Sequence, residues 1–154
     1  MSILVPLDTS AVSHLAVPEA ARLAAGTGDG ILLITVADEA TLRSLDQLAA
    51  AEDEDPIDIL EAKLRSVASS LPGIDVKIDV IAGEDVPAAI VDRAARPDVS
   101  TIVLASHGRT GVSRWRMGSV AERVVRSAAV PVMVVPAPWR TKDKEGARPR
   151  RVAV

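Results

Sequence analysis

Four short apolar runs most constrain what this chain can become: Ile3 to Leu7, the run from Gly30 to Val36, Thr101 to Ala105, and Val132 to Val135. They are continuous rather than alternating, which is the pattern of strands covered by helices on both sheet faces. Between the first two, Val12, Leu15, Ala16, Ala20, Leu23 and Ala24 recur at helical spacing up to Gly26. Strand, helix and buried strand make one βαβ unit with a right-handed crossover. Pro18 falls inside the helical pattern and implies a kink or a helix restarted there, since proline lacks the N–H its turn would use.

The middle of the chain continues the alternation. From Asp38 to Glu61 there are nine acids and one basic residue, Arg43. This stretch reads as a partly helical connection followed by a helix from Pro56 to Ser69, with Ile57, Leu60, Leu64, Val67 and Ala68 as its apolar stripe. The acids at 52–55 are expected to face solvent near that helix's positive end; no fixed ligand spacing marks them as a metal site. Asp75 to Ala82 alternates, with Val76, Ile78, Val80 and Ala82 on one face, so a third strand nearer a sheet edge is expected. Asp85 is placed to cap a helix running from Val86 to Arg96, and Pro87 suits its first turn. The expected architecture is an open, doubly wound α/β domain with five parallel strands in the order 3-2-1-4-5 and helices on both faces.

Composition narrows the function classes. In 154 residues there are 18 Lys and Arg against 21 Asp and Glu, so the basic excess of a general nucleic-acid binder is missing. The absence of cysteine excludes disulfides, zinc fingers and thiol chemistry, and His14 and His107 are too few for a histidine metal cluster. With no Phe or Tyr and only Trp115 and Trp139, aliphatic residues and 25 alanines must fill the core. The start has no basic region ahead of a long apolar run, and the longest apolar stretch, Ala128 to Trp139, is broken by three prolines. A soluble, cytoplasmic protein that engages neither membrane nor nucleic acid is expected. Composition shifts beyond Pro138: residues 139–154 hold six basic residues and two acids, a charge of +4, while residues 1–138 carry -7. The expected division is a domain over 1–138 and a flexible basic tail over 139–154.

The chemistry concentrates between Ala105 and Ser119. This segment leaves the carboxyl end of a buried strand and enters a helix, where open α/β sheets place their ligands. Gly108 and Gly118 bracket nine residues, and Ser119 follows. Glycines let backbone amides approach an anion, and the helix start adds unpaired N–H groups and a positive dipole end. Arg109, Arg114 and Arg116 add charge, so the segment describes a polyphosphate cradle. Each part also has a plainer reading. Ser119-Val120-Ala121-Glu122 is a capping box, Gly108 and Gly111 suit simple turns, and the arginines suit a solvated loop or an interface. Neither a Gly-Lys-Ser/Thr P-loop, nor a Gly-x-Gly-x-x-Gly fingerprint, nor a Gly-x-Ser-x-Gly elbow occurs.

On these residues the chain resembles the universal stress proteins. The nucleotide-binding members of that family carry Gly, two residues, Gly, nine residues, then Gly and Ser or Thr. Here the second half stands complete as Gly108, nine residues, Gly118-Ser119, while Ala105 replaces the first glycine. Ser-His-Gly-Arg-Thr-Gly at 106–111, Gly-Ser-Val-Ala-Glu-Arg-Val at 118–124 and Pro131 to Val135 are also similar to the family, over about residues 1–136.

The resemblance implies a stress-related ATP-binding module. Asp8, after Pro6 at the end of the first strand, would contact the nucleoside, against a plain cap shared with Thr9 and Ser10. Val36 would line the adenine pocket, or serve only as core. Gly83 would let the chain pass close to the nucleoside, or only turn. Ala105, Gly108, Arg109, Gly118 and Ser119 would surround the phosphates, with Mg²⁺ bound mainly through them. His107 reads as a loop-orienting or surface residue rather than an acid–base group. Trp115 suits either a pocket cover or a contact anchor. With no positioned base or nucleophile, any ATP hydrolysis is expected to be slow. Occupancy would order the 106–118 loop and alter a surface for a regulatory partner. The resemblance further implies a homodimer through residues 131–136. The alternatives are a nucleotide-independent regulatory dimer and a phosphotransferase, the latter lacking an identifiable acid or base.

Overall fold

A computed structural model describes residues 1–106 and 117–137, with Glu52 described in its backbone only. Five parallel strands, β1 (Ser2–Pro6), β2 (Gly30–Ala37), β3 (Val76–Ala82), β4 (Val99–Ala105) and β5 (Val132–Val135), lie in the order β3-β2-β1-β4-β5. The helices are α1 (Ala16–Thr27), α2 (Glu39–Arg43), α3 (Asp46–Glu52), α4 (Pro56–Ser69), α5 (Val86–Ala94) and α6 (Ser119–Ser127). This is the fold class and strand order read from the sequence.

The apolar runs behave as their pattern demands. Ile3, Leu4 and Val5 are fully buried, as are Ile31, Leu33, Ile34, Ile102 and Val103. Strand periodicity then sorts them onto two faces. Ile3, Val5, Leu7, Ile31, Leu33 and Val103 pack with α1 and α4, while Leu4, Leu32, Ile34, Val36, Ile102 and Leu104 pack with α5 and α6. Each fully buried aliphatic side chain contributes on the order of 1.5–3 kcal/mol. Both tryptophans lie outside the described residues, so the core observed is wholly aliphatic.

Local chemistry sets the element ends. A single 3₁₀ turn, Ser13–Leu15, precedes α1, so the helix restarts ahead of Pro18. Pro18 then occupies the first turn of α1, where an N–H would have no intrahelical acceptor. Gly28, at φ 76°, closes α1 in the left-handed conformation that glycine adopts freely. Gly30 is required by space: a Cβ there would stand 2.8 Å from the Asp75 carbonyl oxygen.

The acidic connection holds two short helices, α2 and α3, before α4. Asp53, Glu54 and Asp55 are exposed, and Asp55 caps α4 by accepting from the Ile57 N–H at 2.8 Å. The helix after Asp85 ends at Ala94 rather than Arg96, as Pro97 disfavours helical geometry at the residue before it. Arg93 at its end makes a two-pronged pair with Asp98 at 3.0 and 2.9 Å.

Candidate functional site

The strand order reverses between β1 and β4, which are neighbours although far apart in sequence. Loops leaving their carboxyl ends must therefore diverge, one toward α1 and the other toward α6. Divergence at this point opens a crevice in sheets of this class. A cavity of about 310 Å³ occupies it, near the lower end of the roughly 300–1,000 Å³ typical of small-molecule sites.

One end of the cavity is built by β1, β2 and the start of α2. Pro6 and Val36 give it apolar walls, Asp8 and Asp38 bring carboxylates to it, and Val86 and Ile90 of α5 with Leu104 of β4 extend the apolar lining of the cavity. The Oδ1 of Asp8 accepts from the N–H and hydroxyl of Ser10, at 2.8 and 2.5 Å. Asp8 thus closes a tight turn and is not the cap of either following helix, whose flanking residues are Val12 and Leu15. Ser13 completes this knot, accepting from the Asp8 N–H at 3.2 Å and donating to the Ser10 carbonyl at 2.9 Å. Asp38 caps α2 by accepting from the Thr41 N–H at 2.8 Å.

The other end is built by β4 and α6. Ala105, Ser106 and residues 118–121 line it. Ala105 is buried within the β4–β5 ladder opposite Val135, so its backbone is that of an ordinary strand and its methyl group carries no conformational strain. Ser106 joins three elements. Its N–H donates to the Val135 carbonyl at 2.8 Å, its hydroxyl oxygen accepts from the Ala137 N–H at 3.0 Å, and its carbonyl accepts from the Gly118 N–H at 2.7 Å.

Gly118, not Ser119, is the N-cap of α6, in extended geometry at φ -62° and ψ 153° with no side-chain cap. The capping box expected at Ser119 therefore does not form, and the Ser119 hydroxyl is not used as the cap. Because the Gly118 N–H is taken by Ser106, the unpaired amides at this helix end belong to Ser119, Val120 and Ala121. Their orientation and the helix dipole favour an anion.

Arg123 of α6 donates to Asp85, the α5 cap, at 2.9 Å and ties the two helices beside this end. That hydrogen bond, followed by the one from the Ala88 N–H at 3.1 Å, holds the Asp85 carboxyl below the usual carboxylate range.

Of the residues predicted from sequence, Pro6, Asp8, Val36, Ala105, Gly118 and Ser119 meet around this one cavity. Gly83 sits between β3 and α5, outside the lining, and a Cβ on it would make only an ordinary 3.7 Å contact with Ala89. Gly108 and Arg109 lie outside the described residues, as do His107, Arg114, Trp115, Arg116 and the 139–154 segment. Sequence reasoning missed Asp38 and Thr41. Their signal was an Asp directly after a buried strand and three residues before a Thr, the spacing of a helix cap. Among the described residues no group of three or more His, Cys, Asp or Glu side chains is arranged to hold a metal, and no helix is long and apolar enough to cross a membrane.

Comparison with known proteins bears on this geometry. The model of the universal stress protein family matches residues 1–136. The universal stress protein MJ0531 of Methanocaldococcus jannaschii is 30% identical over 146 residues, covering 88% of this chain and 82% of that protein. Among solved structures, the protein MJ0577 superimposes with a TM-score of 0.74 at 25% identity, covering 90% of this chain and 96% of its own. A universal stress protein from Archaeoglobus fulgidus, solved in complex with dAMP, superimposes with a TM-score of 0.61. At 23% identity, covering 87% of this chain and 96% of the other, that likeness is one of fold.

Proposed function

As the chain belongs to the universal stress protein family, we propose that the cavity between β1 and β4 binds ATP and that the protein acts as a stress-related regulatory module. The observation that carries the reading is the polarity of the cavity, with apolar walls and two carboxylates at one end and unpaired helix amides at the other. A base and ribose suit the first end, where Val36 and Pro6 offer packing and Asp8 accepts from ribose hydroxyls. Phosphates suit the second, on the amides of Ser119 to Ala121 and on the Ser119 hydroxyl. Reversing the ligand would set phosphate charge against Asp8 and Asp38, at a cost of about 1 kcal/mol per charge pair at 4 Å even in bulk water, and more in a cleft. The fold also hosts dAMP in the Archaeoglobus protein, in keeping with an adenine nucleotide.

Gly108 and Arg109 complete the phosphate end in this reading, Gly83 lets the chain pass the nucleoside, and Ala105 stands in for the family's glycine. Mg²⁺ is held through the phosphates and water, since the cavity's carboxylates belong to the base end. Hydrolysis, if any, is slow, because the reading places its binding groups on the ground state. Occupancy orders the 106–118 segment, whose ends are already joined by the Gly118 to Ser106 hydrogen bond, and so changes the surface offered to a protein partner. Residues 131–136 supply the interface of a homodimer, which covers the exposed β5 edge. Residues 1–138 form the nucleotide-binding domain, and 139–154 a basic tail.

The test is isothermal titration of ATP with Mg²⁺ into protein stripped of endogenous nucleotide. One nucleotide should bind per chain. At about 100 times Kd it should stabilise the fold by about 2.7 kcal/mol. Gly118→Leu should abolish binding and leave the fold intact, since an extended backbone accepts any side chain. Absence of both heat and thermal stabilisation at two temperatures would leave the nucleotide-independent dimer as the reading.

A further inference from the structure

A second cavity, of about 290 Å³, opens on the opposite side of the sheet, between α4 and the turn that follows β1. Its floor is aliphatic, with Leu60 and Leu64 both buried. Three polar features meet over that floor. The hydroxyl of Thr35, whose residue is only 4% exposed, lines the cavity and makes no hydrogen bond to the described residues. That hydroxyl is open to a partner from the cavity, since Arg93 Nε is the one side-chain polar atom buried without a partner among the described residues. Asp8 brings a carboxylate and Lys63 an ammonium group to the same space, and among the described residues neither forms an ion pair. His14 stands at the wall beside them.

We infer that this cavity is a site for a small aliphatic α-amino acid bound as its zwitterion. Its ammonium group lies toward Asp8, its carboxylate toward Lys63 and the Thr35 hydroxyl, and its side chain on Leu60 and Leu64. One acid and one base that do not reach each other across an apolar floor match a ligand carrying both opposite charges and an apolar body. A plain anion would meet Asp8 uncompensated, and a plain cation would meet Lys63. The volume accommodates one amino acid. The inference does not rest on nucleotide binding, since Asp8 borders both cavities but the remaining groups belong to this one.

The experiment is titration of L-leucine into the ¹⁵N-labelled full chain without nucleotide, followed by amide chemical shifts. Saturable shifts at Thr9, His14, Thr35 and Ser66 are expected. Lys63→Met should weaken binding by about tenfold, as loss of a charge-assisted hydrogen bond does. Thr35→Val, close in volume, should weaken it by roughly threefold. Leucinamide and isocaproate, each lacking one charge, should bind at least about tenfold more weakly. The proposal falls if no shift saturates, if isocaproate binds as well as leucine, if both variants bind leucine like the parent, or if the shifts centre on Ser119 to Ala121. That last outcome would place the ligand in the other cavity.

Discussion

The two ends of the β1–β4 cavity are made by different physics. At one end the polar groups are side chains, Asp8 and Asp38, each already holding a turn or a helix in place. At the other end they are backbone amides, left unpaired because α6 starts there. A side-chain site can be removed by one substitution with little change in the backbone, whereas an amide site survives most substitutions and is lost only when something fills the space before it. The difference teaches where mutations should bite. In the proposed site glycine at 118 would matter for the room it leaves, since its backbone is in a conformation open to any residue.

The largest effect at the carboxylate end is expected from Asp8→Asn. The amide oxygen can keep accepting from Ser10, so the turn persists and thermal stability stays within about 0.5 kcal/mol. ATP affinity should fall by about 10–100-fold, the worth of a hydrogen bond to a charged group, read by titration calorimetry. An unchanged affinity would dissolve the distinction between the ends. A smaller effect is expected from Ala105→Gly. Glycine within a strand should cost roughly 0.5–1 kcal/mol of stability, read by chemical denaturation, with ATP affinity within about twofold of the parent. A tenfold gain would show that the methyl group obstructs the phosphate end.

The smallest effect concerns pH. Asp85 has a lowered pKa in the fold, through Arg123 first and the Ala88 amide second. Its charged form is therefore favoured by folding, and its contribution is present above the unfolded value. It is lost as pH falls through the folded one, below about pH 4. Asp85→Asn should flatten that acid limb of a stability titration slightly, since Asp29 and Asp98 share it, and should leave the response at neutral pH unchanged.

How legible the molecule was depends on how local its signals are. The bounds of α4 follow from Asp55-Pro56 and an apolar stripe, and β5 from an apolar run between prolines, so both emerge from sequence as they stand. The turn at Pro18 left two readings open, a kink or a restart, and only the 3₁₀ turn ahead of α1 decides between them. At the start of α6 the sequence pattern favours Ser119 as cap, but the Ser106 carbonyl takes the amide of Gly118, twelve residues on in the chain, and fixes the helix start one residue earlier. Asp38 and Thr41 were invisible as site residues for the same reason. Their capping role is local, but their position at the cavity depends on β1 lying beside β2, which no short window of sequence contains.

Ser106 carries a mechanical consequence. It is bonded at once to the outermost strand, to the segment following that strand, and to the residue from which α6 departs. A neighbour pressing on β5 and an anion seated on α6 would therefore do work on the same joint. The sheet edge and the crevice, on separate surfaces of the molecule, are thus tied together through the hydrogen bonds of Ser106.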